Sequence, residues 1–337
     1  MTRMDQGIPD MGDGIRLFAL EASRALGEGV ARSLGIGLDE HEEREFDDGE
    51  HKARPLVNVR GRDVFVIHSL YGERHVSVND KLCRLLFMLG AIRDAGAART
   101  TAVVPYLCYA RKDKRTKAYD PVTTRYVAAL FEAVGVDRVV TLEVHNPAAF
   151  ENAFRCGTDH LRGGPLLRRH FQPDPTGTEV TVVSPDVGGI KRAEGFREAL
   201  EKQLKRPVGK AFMEKKRSAG VVSGDRLVGD VQGSKVLILD DLIGTGTTIR
   251  RAVHACVDAG AVEIVAVATH GLFLEGAAEV VADPALERIV VTNTVPPFRL
   301  PPELVKRKVE VLDVSGLLAE AVRRIHDSES LVDLMME

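Results

Sequence analysis

The fold is decided by the stretch Val236-Leu-Ile-Leu-Asp-Asp-Leu-Ile-Gly-Thr-Gly-Thr-Thr-Ile249. Its first four residues form an apolar run typical of a buried parallel strand, which we expect to end at Asp240 and Asp241. A glycine- and threonine-rich loop follows, and the residues from Ile249 onward have helical spacing. Because the free N–H groups and the dipole of a helix N-terminus both favour an anion, this strand, loop and helix predict an anion site.

The residue types in this loop suit a phosphorylated ligand. Glycine lets the backbone approach a phosphate closely, and threonine hydroxyls can donate hydrogen bonds to it. Acids at the strand end can bind sugar hydroxyls or an Mg2+ ion carried by the ligand. The alternative is an ordinary strand–helix turn, but two adjacent acids at a strand end are costly without a partner.

Composition narrows the class of protein. A chain of 337 residues is too long for one small core and is consistent with two α/β domains. The formal net charge of −3 does not suggest a nucleic-acid partner or a polybasic membrane anchor, and no apolar stretch is long enough to span a bilayer. The 4 cysteines form no CxxC pair, which favours reduced thiols and a cytoplasmic location. Residues 1–14 are polar and lack an apolar signal core, so they are predicted to be a disordered tail.

Apolar runs typical of strands alternate with helical patterns along the whole chain. This alternation predicts an α/β fold with mostly parallel sheets flanked by helices. The segments Gly61–Leu70 and Gly233–Leu242 are alike, and each is followed by a helix ending in Ala-Gly-Ala and then a strand, which favours a duplicated domain. We predict domains at 15–160 and 161–337, with a C-terminal helix that is able to pack back on the first domain. The first copy has His68-Ser69-Leu70 in place of the acidic loop and is expected to have lost that site.

Two further motifs lie in the first half. Phe46-Asp-Asp-Gly-Glu50 places an aromatic residue and three acids around a turn glycine, and by itself it predicts an acidic hairpin. Pro105–Arg115 places four cations and one acid just after a predicted strand, where parallel sheets bind ligands. Arg111 can donate two parallel hydrogen bonds to phosphate oxygens while Asp113 fixes its orientation. The alternative to such a phosphate site is a solvated basic loop.

Three more features follow along the chain. His145 ends the next predicted strand, close to the basic loop in any parallel sheet. Asp186, in Ser184-Pro-Asp-Val-Gly-Gly189, can bind Mg2+ or its water shell, or it can form a simple Asx turn. Ala211–Arg217 ends in three cations and leads into a small-residue stretch to Gly224, which predicts either a mobile lid or a basic surface loop.

These motifs, and the order in which they occur, resemble those of the ribose-phosphate diphosphokinases, or PRPP synthetases. PRPP is 5-phosphoribosyl 1-diphosphate. The resemblance runs from about Ile15 to the C-terminus. It implies two tandem phosphoribosyltransferase-type (Rossmann-like) domains and a dimer-based homo-oligomer, commonly a hexamer. It also implies transfer of the diphosphoryl group of Mg-ATP to the C1 hydroxyl of ribose 5-phosphate, with Mg2+ as cofactor, to feed nucleotide biosynthesis.

The same resemblance implies roles for individual residues. The catalytic pair would be Lys215 and Arg217, and the metal would be held by His145 and Asp186. ATP would contact Phe46, Asp48, Glu50, Arg111, Lys112, Asp113 and His145, with the Phe46 segment covering the adenine of an ATP bound to a neighbouring subunit. Ribose 5-phosphate would contact Asp240, Asp241, Thr245, Gly246, Thr247 and Thr248.

The chain departs from the family pattern at several positions. Gly244 stands where the family usually has an acid that touches the ribose hydroxyls, Lys112 where it has Gln, and Lys216 where it has Arg. The residues after His145 also differ. Three alternatives therefore stay open: a phosphoribosyltransferase that consumes PRPP, a non-catalytic regulatory paralogue, and a diphosphokinase for another sugar phosphate.

Overall fold

A computed structural model of the chain describes residues 14–171, 177–218 and 221–336, and for residues 215–218 and 221–225 it describes the backbone alone. Residues 1–13 of the predicted tail lie outside this description. The chain divides into two compact units. Unit 1 comprises the described residues up to His160 together with Ser315–Leu334, and unit 2 comprises those of Leu161–Val314 together with Met335 and Met336. Among the described helices, none is long and apolar enough to cross a membrane.

Unit 1 is built on a five-stranded sheet and a separate hairpin. Its strands are β1 (Ile15–Ala19), β2 (His41–Glu45), β3 (His51–Pro55), β4 (Asp63–Ile67), β5 (Arg99–Val104), β6 (Arg138–Leu142) and β7 (Gly157–Leu161). The sheet has the order β1-β4-β5-β6-β7, and the pairs β1/β4, β4/β5 and β5/β6 are parallel. Strands β2 and β3 form the antiparallel hairpin. The first helices of the unit are α1 (Arg24–Leu34), α2 (Val78–Asp94), α3 (Thr123–Ala133) and α4 (Pro147–Ala153).

Unit 2 is built on a seven-stranded sheet with the order β10-β9-β8-β11-β12-β13-β14. The strands are β8 (Val180–Ser184), β9 (Gly209–Ser218), β10 (Val221–Gly229), β11 (Lys235–Ile243), β12 (Glu263–Gly271), β13 (Arg288–Thr292) and β14 (Val309–Leu312). All neighbouring pairs are parallel except β9/β10. The helices are α5 (Gly164–Arg169), α6 (Ile190–Leu204), α7 (Thr247–Asp258), α8 (Ala277–Val281) and α9 (Pro302–Lys308). The predicted α/β class with mostly parallel sheets is confirmed.

The chain ends with α10 (Ser315–His326) and α11 (Val332–Met335). Helix α10 packs against α1 and belongs to unit 1. Its last turn is tied to the sheet, since Arg99 donates to the carbonyl of Ile325 at 2.9 Å and Nδ1 of His326 lies 2.9 Å from Asp63 Oδ2.

Strand β11 is longer than the sequence predicts. The expected break at Asp240 and Asp241 is wrong, because β11 continues through both acids to Ile243. On one side its pairing with β8 ends at Ile238, but on the other side Asp240 still pairs with Ala268 of β12. The two acids therefore lie within a strand that extends beyond its neighbour.

The first part of the segment predicted as a lid or surface loop is a strand, and residues 219–220 of that segment lie outside the described residues. Ala211–Arg217 lies within β9, which pairs with β10 along its length. Ala211 and Met213 are buried while Phe212 and Glu214 are less so, and this alternation is what fixes a half-buried strand in register. The cations at its end hid that alternation in the sequence.

Candidate active site

In unit 2, the turn that is predicted to bind an anion lies at the N-terminus of α7. Gly246 caps the helix with φ +78°, and a Cβ atom there would lie 3.1 Å from the side chain of Val280. Thr245, Thr247 and Thr248 are exposed, and the hydroxyls of Thr245 and Thr247 lie 3.0 Å apart. Helix N–H groups and hydroxyl groups thus converge on one exposed place, as anion binding requires.

Two carboxylates lie in the strand that leads into this turn. The side chain of Asp241 is 4% exposed and that of Asp240 is 20% exposed. Burial raises the pKa of Asp240 well above its usual range, and the adjacent carboxylate of Asp241 raises it further. The pair therefore binds a proton readily unless a cation compensates its charge.

Arg192 supplies part of this compensation, a contact that the sequence does not predict. Its Nη1 atom, on α6, lies 3.3 Å from Asp241 Oδ1 and 3.6 Å from Asp240 Oδ1. The guanidinium lowers the pKa of Asp240 and so opposes the effect of burial. Nothing in the local spacing indicates this contact, because it joins residues that are far apart in the chain.

Asp186 follows β8, the neighbour of β11 in the sheet. Its Oδ1 atom accepts a hydrogen bond from the Gly189 N–H at 3.0 Å, and Ser184 Oγ donates to its carbonyl at 2.6 Å. Like the Asx turn that the sequence offered as the simpler alternative, this is a local bond to the backbone, but it spans three residues instead of two. Asp186 is exposed just before α6. Since β8 and β11 are parallel, their carboxyl ends lie at the same edge of the sheet.

Gly244 differs from Gly246 in its surroundings. A Cβ atom on Gly244 would lie 3.8 Å from Leu242 Cδ1 and 3.9 Å from Leu274 Cδ1, which is ordinary van der Waals contact. Its backbone also lies outside the left-handed region. The local structure therefore accommodates a larger residue at this position.

In unit 1, the basic loop follows β5 and His145 follows β6. These strands are parallel neighbours, so both segments lie at the carboxyl edge of the sheet. Arg111, Lys112 and His145 are exposed. Asp113 is half-buried and accepts a hydrogen bond from Nδ2 of Asn146 at 2.6 Å. The structure thus brings the predicted cations and His145 to one edge.

The segment Phe46–Glu50 is the turn of the β2–β3 hairpin. The Phe46 N–H donates to the Glu50 carbonyl at 2.7 Å, and the Glu50 N–H donates to Asp48 Oδ1 at 3.1 Å. The Phe46 ring is 39% exposed, with the Arg44 guanidinium 5.0 Å from its centre. An aromatic face and acidic groups are therefore presented together at the tip of a hairpin.

Lys215 and Arg217 lie near the end of β9, where their backbones pair with Asp225 and Val222 of β10. Their side chains lie outside the described part of the structure, so the roles implied for them stay predictions. Elsewhere, in the residues that are described with side chains, no group of three or more His, Cys, Asp or Glu is arranged to hold a metal ion.

The chain is similar to known proteins along most of its length. A family model for the N-terminal domain of ribose phosphate pyrophosphokinase matches residues 15–135, and a phosphoribosyl synthetase-associated domain matches residues 198–336. Ribose-phosphate pyrophosphokinase of Caldanaerobacter subterraneus is 39% identical over 323 residues, covering 96% of this chain and 98% of the relative. Ribose-phosphate pyrophosphokinase 1 of Streptococcus pneumoniae is 34% identical over 95% of this chain and 96% of the relative.

A solved structure extends the similarity to the whole fold. The crystal structure of phosphoribosylpyrophosphate synthetase from Mycobacterium smegmatis superposes with a TM-score of 0.84 at 32% sequence identity. The match covers 94% of this chain and 99% of that one.

Proposed function

Since the chain is an enzyme of the ribose-phosphate pyrophosphokinase family, whose reaction makes PRPP, we propose that it transfers the diphosphoryl group of Mg-ATP to the C1 hydroxyl of ribose 5-phosphate. The main support for the proposal is that two adjacent carboxylates near the end of β11 lie close in sequence to a helix N-terminus suited to bind an anion. A sugar phosphate matches both features, because its anionic phosphate suits the helix N-terminus and its hydroxyl groups suit the carboxylates.

Unit 2 is assigned to the sugar phosphate. The 5-phosphate accepts hydrogen bonds from the backbone and side chains of Thr245, Gly246, Thr247 and Thr248. Asp240 and Asp241 accept hydrogen bonds from the ribose hydroxyls or bind a metal ion carried by the sugar.

Unit 1 is assigned to ATP. Arg111 and Lys112, both exposed cations, bind the polyphosphate together with His145, and Asp113 shapes their loop. The exposed Phe46 ring offers a stacking face for adenine, and Asp48 or Glu50 accepts a hydrogen bond from its amino group. In the homo-oligomer that we propose, this hairpin tip serves the ATP of a neighbouring subunit.

The reaction forms one bond and breaks another at the β-phosphorus of ATP. The oxygen of the C1 hydroxyl bonds to this phosphorus, the bond from the phosphorus to the α–β bridging oxygen breaks, and AMP leaves with that oxygen. The hydroxyl proton passes to solvent. Lys215 and Arg217 offset the negative charge of the transferred group, so positioning and electrostatics supply the catalysis without a protein nucleophile.

The residues present fit the Mg2+ that we propose as cofactor. Burial and the neighbouring carboxylate hold the pKa of Asp240 high, and a bound cation relieves this cost by favouring the ionised pair. Mg2+ is usually held by one or two carboxylates together with substrate phosphates and water. In unit 2, Asp186 or the Asp240–Asp241 pair would hold an Mg2+ ion, and in unit 1 His145 would hold the ion of the nucleotide. A bound ion would neutralise phosphate charge.

The test is 31P NMR of the purified protein with Mg-ATP and ribose 5-phosphate. We expect the ATP signals to be replaced by those of AMP and a sugar-bound diphosphate. ATP binding without turnover would instead indicate a regulatory paralogue or a different sugar phosphate, and consumption of added PRPP with a nucleobase would indicate a phosphoribosyltransferase.

A further inference from the structure

Asn146 makes two side-chain hydrogen bonds that point in different directions. Its Oδ1 atom accepts from the Ala149 N–H at 3.2 Å and so caps α4, and its Nδ2 atom donates to Asp113 Oδ2 at 2.6 Å. The orientation of the amide follows from these partners, because the N–H needs an acceptor and the carboxylate needs a donor. One side chain thus joins the turn after β6 to the basic loop after β5.

Each of these two segments also has anchors of its own. The Thr124 hydroxyl lies 2.9 Å from the Tyr109 carbonyl and 3.1 Å from the Lys112 carbonyl, which fixes the basic loop on α3. The Val144 N–H donates to His160 Nε2 at 2.9 Å, which fixes the turn on β7. The bond from Asn146 to Asp113 adds a direct side-chain connection between the two anchored segments.

We infer that Asn146 is a positioning residue that holds the Arg111–Asp113 loop against the turn bearing His145, so that both present their side chains to the phosphates of ATP in one fixed arrangement. This inference rests on the proposed function of unit 1. Asn146 immediately follows His145, and Asp113 lies two residues after Arg111. Small displacements of such groups strongly lower the rate of a reaction that depends on positioning.

Helix capping alone does not account for asparagine here. Asn, Asp and Ser are about equally good N-cap residues, because each offers an oxygen to the first-turn N–H groups. Asparagine adds an NH2 donor that aspartate lacks and that reaches further than a serine hydroxyl. A hydrogen bond to an ionised acceptor is also stronger than a neutral one. Asparagine is therefore suited both to cap α4 and to donate the second hydrogen bond, to Asp113.

Two substitutions separate these roles. Asn146→Ser keeps a capping oxygen and removes the amide donor, whereas Asn146→Asp keeps the cap and places a second carboxylate beside Asp113. The matched control is Asn152→Ser on the same helix, an exposed asparagine whose Nδ2 atom donates to the Ala148 carbonyl at 2.7 Å. Each protein is measured for its calorimetric Kd for Mg-ATP, its KM values for both substrates and its thermal midpoint.

For Asn146→Ser we expect the Kd and KM for ATP to rise about tenfold, the size expected for loss of one bond to a charged group. Asn146→Asp should raise them further, since it adds like-charge repulsion. The KM for ribose 5-phosphate and the thermal midpoint should stay close to those of the wild type and of Asn152→Ser.

Unchanged ATP affinity in Asn146→Ser would overturn the inference. So would an equal rise in both KM values together with a lower thermal midpoint, since that is the result of a merely structural role. A wild type that binds ATP without making PRPP refutes the proposed function but leaves the affinity comparison valid. A wild type that does not bind ATP overturns both.

Discussion

Two glycines in the turn before α7 are present for different physical reasons. Gly246 needs its left-handed backbone, and any Cβ atom there would press on Val280. Gly244 has an ordinary backbone and room beside Leu242 and Leu274. Glycine is thus required at position 246 by the backbone of the turn, whereas position 244 also accommodates other side chains.

This difference predicts that Gly244→Asp folds normally and improves binding of the sugar. A carboxylate at this position would accept a hydrogen bond from a ribose hydroxyl, so the KM for ribose 5-phosphate should fall about threefold to tenfold, the range of one such bond. Steady-state kinetics with Gly244→Ala as the control would separate the carboxylate from the added Cβ atom. An unchanged or higher KM in Gly244→Asp alone would contradict the assignment of sugar hydroxyls to this place.

Among the elements, β4 of unit 1 and β11 of unit 2 differ in the residues that lie at their carboxyl ends. The acids of β11 lie just before the turn that leads into α7, whereas β4 is followed by His68 and Ser69, which are each 1% exposed. His68 Nδ1 lies 3.2 Å from the hydroxyl of Ser23, in a short 3-10 helix (Glu21–Ser23). The end of β4 is therefore a buried polar contact within unit 1.

Burial of His68 should make the stability of unit 1 depend on pH. Burial, together with the positive charge of Lys81, lowers the pKa of the imidazole from 6.5 to about 3. The unfolded chain therefore binds a proton below pH 6.5 that the folded chain does not, so stability is lost as the pH falls from 6.5 towards 3.

Between pH 7.5 and 5.5 this effect should lower the free energy of unfolding by about 1.4 kcal/mol, since one pH unit below the unfolded pKa corresponds to that amount. Urea unfolding of the wild type and of His68→Asn at the two pH values would measure it. The variant should lose less stability than the wild type over this range, and equal losses would show that His68 is not the source.

At the scale of the whole molecule, unit 1 is assembled from distant parts of the chain. Helix α10 packs on α1, where a Cβ atom on Gly29 would lie 2.2 Å from the Ser315 Oγ atom and 2.9 Å from its Cβ atom. Close approach of these helices therefore depends on glycine at position 29.

A pair of glycine substitutions tests this contact. Gly29→Ala should destabilise the protein by about 1–3 kcal/mol, the usual cost of overpacking. Gly316→Ala, on α10 with nothing within 4 Å of the new Cβ atom, should be neutral or stabilise by up to about 1 kcal/mol because alanine favours a helix. The free energy of unfolding of both variants is measured from urea unfolding curves. Equal effects of the two substitutions would show that the α1–α10 contact is not tight.

The amino-acid sequence predicted the alternation of strands and helices, the mostly parallel sheets and the glycine- and threonine-rich turn before α7. Apolar periodicity, turn residues and helix starts act over a few neighbouring residues, so they can be read along the chain. The same local reasoning ended β11 too early and did not identify β9 as a strand, because pairing with β12 and β10 overrides the local signal of acids and cations.

Only the tertiary structure placed Arg192 beside Asp241, joined Asn146 to Asp113 and put α10 in unit 1. Each of these contacts joins residues that are far apart in sequence, and no repeating pattern specifies the partner. They form because parallel strands bring their carboxyl ends to one edge and because apolar helix faces must be buried against a neighbour. Short-range chemistry therefore determined which elements form, and long-range packing determined which side chains meet.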